Sequence, residues 1–120
     1  MAETQIAKPY DLEERTFKFA QAVIAFIKKL PKSLANIEIS RQLVRSSGSV
    51  GANYIEANEA LGKKDFLFHV KISRKEAKES RYWLRLIDID DEDMEKERQL
   101  LARESQELMN IFGAILRKSE

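Results

Sequence analysis

Between Arg41 and Ile87 two long helical patterns run one after the other, each bulky at its ends and small in its middle. In the first, Leu43, Ser47, Val50, Tyr54, Ala57 and Leu61 recur at alternating steps of four and three; in the second, Phe66, Val70, Ser73, Ala77, Ser80, Leu84 and Ile87 do the same. That spacing keeps side chains on one helical face. Serine and alanine at the centre of both seams predict two helices whose backbones approach closely. Ser46, Gly48, Ser49, Gly51 and Ala52 crowd the same turn. Two glycines inside a helix cost about 2 kcal/mol of propensity together, which tight contact must offset. Ser47, Gly48, Gly51, Asn53, Glu56, Ala77 and Trp83 are therefore read as packing residues and not as ligand contacts.

The rest of the chain supplies two more helices. Residues 1–10 carry little pattern and read as a loose arm. A first helix is expected over about 11–30, capped by Asp11, with Glu13 and Glu14 in its first turn and Pro31 as its stop. The second is expected over 36–61, capped by Ser33 or Asn36 and closed by Gly62; the third over 64–87; the fourth over 91–117, capped by Asp90 or Asp91. In the fourth, Met94, Leu101, Leu108, Ile111, Phe112 and Ile115 form the seam. Short loops make the helices alternate in direction, which predicts an all-α, up-down-up-down antiparallel four-helix bundle in a single domain of 120 residues. In the first helix the apolar residues Phe17, Phe19, Ala20, Val23, Ile24, Phe26, Ile27 and Leu30 cover about half the circumference, wider than the stripe a monomeric bundle needs. The surplus, Phe19 and Phe26 in particular, is expected to make a contact between copies of the chain.

Several chemistries are excluded. There is no cysteine, hence no disulfide, thiolate metal site or cysteine nucleophile. No leader pattern or membrane-length apolar run is present, so a cytoplasmic setting is expected. The single imidazole, His69, cannot furnish the paired Glu-x-x-His motifs of di-iron bundles or a hydrolytic triad. Gly48-Ser49-Val50-Gly51 lies in a helical pattern without the strands of a KH domain, and Gly62-Lys63 lacks both the earlier glycine and the following hydroxyl of a phosphate loop. Asp88 to Asp93 begins like a calcium loop, but Asp93 stands where glycine is required and Gln99 where glutamate is; it reads as an acidic helix start. No residue set points to a metal, a cofactor or catalysis.

Charge is more informative. The net charge is only +1, yet residues 63–87 hold eight cations against three acids and residues 88–99 two cations against seven acids. On the third helix Lys71, Arg74, Lys78, Arg81 and Arg85 line one face, extended by Lys64 and Lys75, while Asp65, Glu76 and Glu79 fall on another arc with Ile72 and Trp83. Such a stripe can track phosphates. It can equally be a solvated face, or pair with the acidic segment of another subunit. Only Tyr82 touches its edge among the aromatics, so base stacking is not indicated, and backbone or shape recognition is the expected mode. Asn53, Glu56, Asn58 and Glu59 are expected to form a hydrogen-bond network between helices, with Arg41 or Arg45.

The run Arg45-Ser46-Ser47-Gly48-Ser49-Val50-Gly51-Ala52-Asn53-Tyr54-Ile55-Glu56-Ala57-Asn58-Glu59-Ala60, followed by Lys64-Asp65-Phe66 and the segment from Lys75 to Leu86, resembles the bacterial four helix bundle protein family. That family takes its name from proteins encoded in 23S rRNA intervening sequences and is related to the accessory protein of diversity-generating retroelements. Many members carry Asn-Ile-Ala-Glu-Gly where this chain has Asn53-Tyr54-Ile55-Glu56-Ala57, so it resembles a sub-branch. The resemblance implies a homopentameric ring of bundles without enzymatic activity that contacts nucleic acid. The combined expectation is a non-enzymatic oligomer whose third helix meets RNA or DNA. The competing one is a protein-interaction scaffold, or an accessory subunit of a nucleic-acid enzyme, with no nucleic-acid contact of its own.

Overall fold

Pro9 opens the first helix, where its fixed φ suits helical geometry and its missing N–H leaves no donor unpaired. A computed structural model of the chain describes residues 9–120, with Pro9 and Tyr10 described by backbone alone. Four helices occupy the described residues: α1 (Pro9–Lys28), α2 (Leu34–Asn58), α3 (Lys63–Leu86) and α4 (Glu92–Lys118), with no strand among them. Of the expected N-terminal arm, residues 1–8 lie outside the described residues, and the last two are already helical. Asp11 is thus inside the first turn and is not the cap. Each helix packs mainly on the two that flank it in the order α1–α2–α3–α4, which puts α1 diagonal to α3 and α2 diagonal to α4. This is the four-helix bundle that the periodicity predicts. No helix among the described residues is long and apolar enough to cross a membrane.

The α2–α3 contact is the tightest, and its hydroxyls show why. Ser73 Oγ donates to the Val50 carbonyl at 2.9 Å, a reach that one carbon of side chain allows only if the backbones are close. One turn pair away, Ser46 Oγ lies 2.9 Å from Ser80 Oγ, and Ser80 Oγ lies 2.9 Å from the Glu76 carbonyl. With Ser46 donating to Ser80 and Ser80 to Glu76, both buried hydroxyls are satisfied, as buried polar groups must be.

The glycines serve a different purpose from the one their spacing predicts. A Cβ on Gly51 would lie 2.9 Å from Thr16 Oγ1 and 3.2 Å from Thr16 Cβ, so Gly51 seats α1 and not α3. Gly48 faces open space and packs on nothing. Two substitutions separate these roles. Gly48→Ala is expected to raise stability by about 0.5–1 kcal/mol through helix propensity alone. Gly51→Ala has the same propensity gain but is expected to lower the melting temperature, because buried Thr16, held by its bond to the Glu13 carbonyl at 2.9 Å, cannot yield. Thermal unfolding followed by circular dichroism reads both signs; stabilisation by both would mean that α1 does not rest on Gly51.

On α1 the apolar face is rotated from expectation. Phe19 and Phe26 are 2% and 1% exposed and belong to the core, whereas Phe17 and Ile24 are 56% and 44% exposed. The residues that turn the helix this way are Leu12 and Thr16: with Phe19, Val23, Phe26 and Leu30 they complete a four–three seam like those of α2 and α3. The surplus apolar edge is therefore Phe17 and Ile24. Where α1 meets α4 packing is sparse, and charge clasps the seam: Arg15 bonds Glu104 (2.7 Å) and Glu107 (2.8 Å), and Lys29 pairs with Glu97.

The helix ends are settled by local chemistry. Lys29 and Leu30 tighten the close of α1 with bonds to the Phe26 and Ile27 carbonyls, ahead of Pro31. Ser33 caps α2 through the Asn36 N–H and Asp91 caps α4 through the Met94 N–H. Asn36 does not cap; buried, it donates to the Pro31 and Asp88 carbonyls and accepts from the Asp88 N–H, tying two loops together at one end of the bundle. Gly62 is not the C-cap of α2, which closes at Glu59; it stands at the extended N-cap position of α3 with φ −152°. Arg98 reaches from α4 to the carbonyls of Leu84, Arg85 and Ile87 and so neutralises the C-terminal end of α3.

Candidate nucleic-acid interface

Helix α3 divides into three longitudinal strips. One is the core seam. The second faces α2 and takes the acids: Arg45 of α2 bonds Glu79 at 2.7 Å and Glu76 at 3.3 Å, and Asp65 lies 3.5 Å from His69 Nε2. Hydrogen bonding to Glu79 holds the Arg45 guanidinium above its ordinary pKa. The third strip carries the cations. Lys64, Lys71, Arg74, Lys75, Lys78 and Arg85 are exposed and Arg81 half-buried. Among the described residues, the ion pairs involve Arg15, Lys29, Arg45 and Arg98, and none of the seven strip cations. Acidic side chains among the described residues therefore do not neutralise the strip.

The same sorting occurs on α4. Glu97, Glu104 and Glu107 turn to α1, and Glu95 is occupied by Arg98, whose hydrogen bond depresses the Glu95 carboxyl below its usual range. The α3-facing edge of α4 is left with Gln99, Arg103, Gln106, Asn110, Gly113 and Arg117, again at steps of four and three. A groove results between α3 and α4 with two shallow depressions. Lys71, Arg74, Lys75, Lys78 and Leu116 line one; Arg81, Arg85, Gln99, Ala102, Arg103 and Gln106 line the other. Buried Gly113 makes room beside the first: Arg74 Nε and Arg117 Nη1 each come within 3.4 Å of where its Cβ would stand, so these two guanidinium nitrogens are no more than twice that distance apart. Neither guanidinium group has an ion-pair partner among the described residues, and two so placed favour an anion between them.

Other expected packing residues disperse. Asn53 lies between Ser49 and His69 of α3 (3.3 Å), Asn58 donates to Glu13 of α1 at 2.8 Å, and Glu56 and Glu59 point to solvent, so the four form no common network and Arg45 serves α3 instead. Ser47 and Ala77 are buried as expected. Trp83 packs against the core, its indole N–H being the one buried side-chain polar atom without a partner among the described residues. No group of three or more His, Asp or Glu gathers to hold a metal among the described residues. The α4 half of the groove was missed in sequence, because glutamines and single arginines carry no signal until α4 is laid against α3. Phe68 was missed as well: it is 57% exposed and lies on the cationic strip.

The model of the 23S rRNA-intervening sequence protein family matches residues 9–114. A comparison with curated proteins returns no significant match. Among solved structures, the chain is similar to a protein of Bacteroides thetaiotaomicron VPI-5482, described as of unknown function and from the S23 ribosomal protein family. The identity is 28% and the TM-score 0.75, over 91% of this chain and 97% of that one.

Proposed function

The chain belongs to the 23S rRNA-intervening sequence protein family, and on that footing we propose that it is a non-enzymatic, self-associating cytoplasmic bundle that binds RNA or DNA through the phosphate backbone along the α3–α4 groove. The observation that carries this reading is the pair of guanidinium groups of Arg74 and Arg117, without an ion-pair partner among the described residues, converging over Gly113 in a groove whose other charged residues are cations. Each phosphate neutralised there releases counterions, so the attraction depends steeply on salt. Self-association is supported by the opposite edge, where Phe17 and Ile24 of α1 and Ile37, Val44 and Ile55 of α2 are exposed along one side of the bundle. Copies joined through that edge, in the homopentamer that the resemblance implies, would carry their α3–α4 grooves outward.

The second reading, a protein scaffold without nucleic-acid contact, is favoured by the same apolar edge. Filter retention of labelled RNA by the isolated protein separates the two. Retention at about 50 mM salt, falling roughly a thousandfold in affinity by about 200 mM, is expected for six or so phosphate contacts. No retention at the lower salt would leave the scaffold.

A further inference from the structure

From Lys64 to Arg85 the solvent ridge of α3 follows steps of four and three and reads Lys64, Phe68, Lys71, Lys75, Lys78, Tyr82, Arg85, every one of them exposed. The two rings, 57% and 55% exposed, bracket three lysines. Each ring is braced by its C-terminal neighbour. Phe68 meets His69 edge to face at 5.2 Å and Tyr82 meets Trp83 at 5.0 Å, and His69 is itself in contact with Asn53 of α2 at 3.3 Å. Exposed aromatics held in this way keep over half their surface in water while losing little rotamer freedom when something stacks on them.

We propose that the ligand of this face is a single strand, RNA or DNA, whose bases stack on Phe68 and Tyr82 while its phosphates follow the intervening lysines; this rests on the phosphate-binding reading above. Cations three and four residues apart along a helix stand about 4.5–6 Å apart, the scale of successive phosphates on an extended strand. Rings at both ends of the lysine run then meet bases that have turned toward the protein. A duplex offers phosphates but keeps its base faces stacked on one another, so it can use the lysines and not the rings. A second copy of this chain meeting this ridge with its own ridge is disfavoured, because five of the seven positions are cations and would repel their equivalents.

The test is fluorescence anisotropy with a labelled oligouridine, an oligothymidine and a blunt RNA duplex of matched length. Binding of the single strands tighter than the duplex is expected. Phe68→Ala with Tyr82→Ala should weaken single-strand binding by about tenfold for each ring and leave duplex affinity unchanged. Phe68→Leu with Tyr82→Leu, which keeps apolar bulk without a π face, should behave like the alanine pair. Equal binding of strand and duplex, or equal losses on both, would overturn the inference. Lys71→Gln, Arg74→Gln, Lys78→Gln and Arg81→Gln together report on the underlying reading: a wild type that prefers duplex, lost in that variant, sinks the single-strand inference alone, and a variant that binds as the wild type does sinks both.

Discussion

Phe112→Ala is expected to destabilise the bundle by about 3–5 kcal/mol. The ring is fully buried and lies tilted against Tyr54, centroids 5.7 Å apart, in the contact by which α4 meets α2 across the diagonal of the core. Truncation removes that contact and leaves a cavity that four helices, already fixed by their neighbours, cannot collapse into. A domain of this size holds about 5–15 kcal/mol in all, so the loss is a large share of it and should lower the melting temperature by roughly 10–25 °C. Phe17→Ala is the control. Phe17 is mostly in solvent, and its truncation should move the melting temperature by no more than a few degrees at concentrations where the chain is monomeric. Equal shifts for the two would mean that α1 and α4 present other faces to the core.

Changing Lys71, Arg74, Lys78 and Arg81 together to glutamine is expected to lower affinity for RNA about ten-thousandfold at about 50 mM salt. With a slope near 0.7–0.9 per phosphate, each contact is worth about one order of magnitude or slightly less at that ionic strength. Stability should be unchanged or slightly higher, because none of the four takes part in an ion pair among the described residues and their mutual repulsion is relieved. Normal helicity by circular dichroism with binding lost is the expected pair of results. Intact binding would take the strip out of the function.

The middle of the fold was legible because packing there is dictated by size: serine and alanine at the seam centres of α2 and α3 admit one arrangement, and Ser73 bonded to the Val50 carbonyl is its signature. The buried face of α1 is not legible from its other apolar residues, because Leu12 and Thr16, one turn apart, give the apolar arc its centre. Gly48 and Gly51 look alike in sequence, although only Gly51 has a neighbour. Gly62 resembles a helix terminator in sequence, but the chain leaves α2 by short-range bonds from Glu59 and Ala60 and reaches Gly62 already extended. The cation strip was visible as periodicity. Its freedom from ion pairs among the described residues was not, since that depends on α1 drawing off acids of α4 and on α2 drawing off Glu76 and Glu79 of α3.

The salt dependence of RNA binding tests the polyanion groove most directly. Log affinity against log salt should be linear for the wild type, and the slope for the four-glutamine variant should be shallower by roughly 3. Parallel lines for the two proteins would contradict it, for the phosphates would then be meeting some other part of the molecule.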